Sequence, residues 1–133
     1  MNLTSLNQKI ILKTGVFGIF MGFSTTLGWC QEKEIYILII MIIATILYLK
    51  NKLKKDLFIH CIIIGLSWGF DCSLIQIIFI DTYLINNPFY ANFITSMFNI
   101  NSGFLLILIG IFWGIISGTT MWIFLHLIRI RRT

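Results

Sequence analysis

Apolar residues gather in four runs along this chain, at about 14–30, 35–49, 57–80 and 104–128, and charged residues stand almost entirely between them. Roughly 20 residues cross the hydrocarbon core of a bilayer, with a usual range of about 17–25. The pattern therefore predicts four transmembrane helices. The second run is short by this measure. Tyr36 and Tyr48 suit its two interfaces, and Lys50 can snorkel, so its flanks extend it. It also has the fewest polar or small residues, which makes it the span expected to face lipid most.

The charged connections orient these spans. Lys9 and Lys13 precede the first run, Lys50, Lys52, Lys54 and Lys55 join the second to the third, and Arg129, Arg131 and Arg132 close the chain. Lys33, in the segment Gln31, Glu32, Lys33, Glu34, is the one basic residue on the other side. Cytoplasmic loops carry the excess of Lys and Arg, so both termini are expected in the cytoplasm of a multi-pass protein of the cell inner membrane. A signal peptide is the competing reading of the first run, with Lys9 and Lys13 as its basic region. Leu27-Gly28-Trp29-Cys30 faintly resembles a lipoprotein cleavage box, but Trp29 stands where a small residue is needed.

The connection at 81–103 is the longest and carries no Lys or Arg. Asn87 and Pro88 suit a helix cap and first position. Phe89, Phe93 and Met97, with Tyr90, Ile94 and Phe98, would form an apolar face. An interfacial helix at about 88–98 on the outer surface is one reading; a greasy loop folded over the bundle is the other.

Composition agrees with the pattern. Of 133 residues, 58% are hydrophobic and 11% charged, and the mean hydropathy is +0.93. Soluble domains average about 45–50% apolar and about 25% charged. No polar stretch could build a second core, so 1–133 reads as a single transmembrane domain. The expected fold class is all-α integral membrane, a four-helix transmembrane bundle with N-in/C-in topology. The net charge of +5 is explained by the inner loops and calls for no nucleic acid. Cys61 and Cys72 lie three turns apart, roughly 16 Å along a helix, so no disulfide joins them.

Candidate chemistry centres on Asp71, a carboxylate inside the third run. At that depth it costs roughly 2.5–3.5 kcal/mol on insertion scales. At 100° per residue, Cys61, Gly65, Gly69, Cys72 and Gln76 share one face, and His60, Ser67 and Asp71 another, roughly 140° away. A helix with two faces to hide belongs at the centre of a bundle. Asp71 fits three roles: a structural carboxyl held by hydroxyls, Gln76 or the indoles of Trp68 or Trp113; a proton or cation site; or a partner for another protein's basic side chain. Ser67, His60 and Gln76 complete the candidate polar site.

Glycine recurs at four-residue spacing in three runs: Gly18 and Gly22; Gly65 and Gly69; Gly110, Gly114 and Gly118. Such spacing lets backbones approach closely in lipid, whether within one chain or between copies. Met21 to Leu27 also resembles Trp68 to Leu74, an echo that would pair Asp71 with Ser24 in a parallel repeat.

No metal site is expected: His60, His126 and Cys61 lack any tight ligand spacing. Catalysis and cofactors are not expected either. There is no nucleophile elbow, phosphate loop or carboxylate pair, and seven residues separate His60 from Ser67, roughly 10 Å. The expected function is a structural or accessory subunit, or a self-associating bundle, with the lipid bilayer and a second copy or another membrane protein as partners. The alternatives are a minimal proton- or cation-coupled transporter using Asp71, and a membrane-embedded partner-binding protein such as an immunity factor.

Overall fold

A computed structural model describes residues 7–30, 33–53, 56–96 and 101–130. All regular structure among them is helical: α1 (Gln8–Thr26), α2 (Glu34–Leu49), α3 (Leu57–Ile78), α4 (Ile80–Asn86), α5 (Pro88–Ser96) and α6 (Ser102–Ile130). Two of these, α3 and α6, are long and apolar enough to cross a membrane; α2 is apolar but shorter. Several residues used in the sequence reading, namely Gln31, Glu32, Lys54, Lys55, Met97, Phe98, Arg131 and Arg132, lie outside the described residues.

The first apolar run is shifted relative to its helix. α1 begins at Gln8, where Asn7 caps it by accepting from the Ile10 N–H at 3.4 Å. It ends at Thr26 because Gly28 takes a left-handed φ of 69°. Trp29 N–H then bonds the Ser24 carbonyl and Gly28 N–H the Thr25 carbonyl, both at 3.0 Å. This is a Schellman ending, and a side chain at position 28 would strain it. Residues 27–30 are thus a turn, not helix.

α3 is the central helix, with α6 on one side and α1 on the other. The α3–α6 contact is made by glycines. A Cβ on Gly65 would fall on the Gly114 carbonyl, and one on Gly69 on the Gly110 carbonyl. Glycine lets these two backbones touch, and the Ser73 hydroxyl donates to the Leu106 carbonyl at 2.8 Å beside them. On the α1 side, a Cβ on Gly18 would come within 2.7 Å of the Trp68 Cα, and one on Gly22 within 3.1 Å of the Cys72 Cα. The glycine faces of all three helices therefore meet inside one chain.

α2 packs most fully through its second half. Met41, Ile42, Thr45, Ile46 and Leu49 are buried, whereas Ile35, Tyr36, Ile39 and Ile40 are exposed. In the first half, Ile37 and Leu38 reach the core partly buried, and Glu34 meets Tyr90 of α5.

The connection at 81–103 holds more structure than expected. A seven-residue helix, α4, begins at Ile80 after a break at Phe79 (φ −112°, ψ 40°) and takes up residues 81–86 of this connection, where no helix is expected. α5 does begin at Pro88, but the Asn87 side chain does not cap it. Asn87 Nδ2 donates instead to the Thr25 and Tyr83 carbonyls, each at 2.8 Å, closing the ends of α1 and α4. Within α5, Phe89 is 78% exposed, while Tyr90 stacks on Tyr83 with ring centres 6.4 Å apart.

Candidate functional site

Asp71 sits on α3 beside Gly15 and Gly18 of α1, half-buried, with Ser67 Oγ donating to Oδ2 at 3.2 Å. Ser67 lies one turn before it on the same face, so the pair follows from helix geometry. Two of the other donors proposed for Asp71 are used elsewhere. Trp68 Nε1 donates to the Thr14 carbonyl at 2.7 Å, and Gln76 Nε2 to the Thr25 hydroxyl at 2.9 Å. Ser24 does not pair with Asp71 either. It lies six residues beyond Gly18 on α1, about 9 Å further along the axis, so the suggested repeat brings no polar groups together.

His60 is separate from both. Its Nδ1 lies 2.9 Å from the Asp56 carbonyl, and its Nε2 3.0 Å from the Asn7 N–H. A carbonyl only accepts and a backbone N–H only donates, which fixes the neutral tautomer with the proton on Nδ1. His60 ties the start of α1 to the start of α3. His126 stacks on Trp122, and no metal-sized group of His, Cys, Asp or Glu occurs among the described residues.

The feature with room for chemistry is a cavity of about 270 Å³ beside the first half of α2. It extends from Glu34, Tyr83 and Tyr90, at the α4–α5 end, down to Gly65 and Ser117 at the α3–α6 seam. Gly65, Gly69, Gly110 and Gly114 contribute to its floor, so the residues that bring α3 and α6 together also leave the space unfilled. Met21, Leu38, Met41 and Ile109 give it apolar walls, and Trp68 and Trp113 aromatic ones. Gln76 lines it; Asp71, Ser67 and His60 do not.

Among the described residues, Glu34 is the only carboxylate that lines it, and no Lys, Arg or His does. Glu34 stands one residue ahead of the apolar run 35–49. Its Oε2 accepts from the Tyr90 hydroxyl at 3.3 Å, and its Oε1 is buried with no hydrogen-bond partner among the described residues. Burial pushes the Glu34 carboxyl above the ordinary carboxylate range, and the Tyr90 bond draws it partway back. Burial, and then the charge of Glu34, push the Tyr83 and Tyr90 phenols up, so both keep their protons.

Sequence reading passed over Glu34 because it falls in a short charged connection, where a carboxylate looks solvated. Tyr83 and Tyr90, more than 40 residues away, enclose it. Comparison with protein-family models, curated proteins and solved structures returns no match for this chain.

Proposed function

We propose that this chain is a small inner-membrane protein that crosses the bilayer four times with both ends in the cytoplasm, and that it binds a small molecule entering from the outer side. Two helices of sufficient length and apolarity support the membrane setting. The basic hollow formed by Lys9, Lys13, Lys52 and Tyr48 at the terminal end supports the orientation, since a cytoplasmic leaflet is anionic. Lys52 Nζ lies 3.8 Å over the Tyr48 ring, an arrangement suited to an interface.

The cavity carries the functional reading. Tightly packed scaffolds leave few voids larger than water, whereas this one has a half-enclosed space with apolar walls and few polar groups, the usual form of a ligand pocket. Binding through the glycine faces to a second copy has less support, because those faces already pack on each other within the chain.

A cavity-filling variant tests this. In neutral detergent, the purified chain should bind benzyl alcohol saturably, at one site, with a change in Trp fluorescence from Trp68 and Trp113. Leu38→Trp, at a half-buried lining position, should abolish that binding while leaving helix content intact. Equal binding by both proteins would rule the cavity out as the site.

A further inference from the structure

The cavity has a definite charge character, and it narrows the ligand. We infer that its occupant is an organic monocation, an ammonium group carried on a small apolar or aromatic body and paired with the Glu34 carboxylate. This rests on the ligand-binding reading above.

Four features of the lining converge on that chemistry. Glu34 presents one buried oxygen with no partner among the described residues; such an atom is poorly compensated until a donor or cation reaches it. Among the described residues, no basic side chain lines the space to neutralise it. Tyr83, Tyr90, Trp68 and Trp113 offer ring faces, which attract a desolvated cation. Below them, Met21, Leu38, Met41, Leu106 and Ile109 are uncharged and apolar, so the rest of the ligand must be apolar too.

The same features exclude other classes. An anion would meet Glu34 with nothing positive beside it. A divalent metal needs several hard oxygen ligands, and no cluster of three acidic, His or Cys residues exists among the described residues. The size, about 270 Å³, is just below the roughly 300–1,000 Å³ of drug-sized pockets, so the body is no larger than one or two rings. A phospholipid headgroup would bring a phosphate beside its ammonium and next to Glu34, which disfavours it against a free amine.

A proton competes for the same oxygen. The groups facing Glu34 are Tyr83 of α4, Tyr90 of α5, Cys72 of α3 and Cys30 beyond α1. With the phenols protonated, Glu34 is the group whose ionisation gates cation entry. Binding therefore strengthens as pH rises through the Glu34 titration.

The experiment compares three probes of similar shape, benzyltrimethylammonium, benzyl alcohol and benzoate, binding to the full chain in dodecyl maltoside, which carries no charge. The expected order is cation over alcohol over anion. Glu34→Gln should weaken the cation at least tenfold and leave the alcohol unchanged. Glu34→Asp, which keeps the charge, should retain the cation preference, as should Asp71→Asn, whose site lies outside the cavity. If Glu34→Gln binds the cation as well as the unaltered protein does, the inference is overturned while the cavity reading stands. If none of the three probes binds, both fall. Competition by phosphatidylcholine nanodiscs, but not by phosphatidylglycerol nanodiscs, would point to a lipid headgroup and overturn the free-amine assignment.

Discussion

Glu34 and Asp71 are both carboxyls in apolar surroundings, and their partners separate their roles. Asp71 has the Ser67 hydroxyl at its side and backbone of α1 against it. Glu34 has one oxygen bonded to Tyr90 and the other buried with no hydrogen-bond partner among the described residues. Burial raises the Glu34 carboxyl above the ordinary carboxylate range, so the folded chain favours its protonated form more than the unfolded chain does. Its contribution to stability is fully present below the ordinary carboxylate range and is lost as pH rises through the raised value. Thermal unfolding in detergent should therefore show the unaltered protein losing stability relative to Glu34→Gln over that interval. In Tyr90→Phe the loss should shift to still higher pH, because the hydrogen bond that favours the ionised form is gone. Parallel pH profiles for the unaltered protein and Glu34→Gln would mean that Glu34 is solvated.

At the scale of elements, the glycine seam between α3 and α6 is the strongest structural constraint. A side chain at Gly65 or Gly69 would meet backbone carbonyls of the facing helix, which cannot swing aside. Overpacking of this kind costs about 1–3 kcal/mol, and Gly65→Ala and Gly69→Ala should each lower stability by about that much in detergent unfolding. Gly15→Ala should cost less, since its new Cβ meets the Ser67 hydroxyl at 3.3 Å, a side chain that can rotate. A seam indifferent to both alanines would mean that α3 and α6 do not pack as described. The seam was legible in the sequence because four-residue glycine spacing is a local pattern. So was the central place of α3, from its two polar and small faces. α4 was not, because it has only seven residues and its stability comes from what it packs on: Tyr83 is 4% exposed. The cavity was illegible for the same reason. Its lining comes from all six helices, a property of three-dimensional placement that no periodicity in 35–49 records.

For the whole molecule, helix lengths and placement support one arrangement in a bilayer. At about 1.5 Å per residue, α3 spans roughly 33 Å and α6 roughly 43 Å, against about 30 Å of hydrocarbon. α6 can thus carry its Arg129 end into the headgroups. α2 spans only roughly 24 Å. In the proposed topology its Glu34 end lies toward the outer interface, beside α4 and α5, so that a solute would approach the cavity from that side. The most direct test places a single cysteine at Leu38, with Cys30, Cys61 and Cys72 replaced by serine or alanine. It is treated with methanethiosulfonate ethyltrimethylammonium, a membrane-impermeant cation, in right-side-out and inside-out vesicles. Labelling should occur from the outer face only and slow when benzyltrimethylammonium is present. Labelling from the cytoplasmic face, or outer labelling that benzyltrimethylammonium leaves unchanged, would contradict an outward-facing cation cavity.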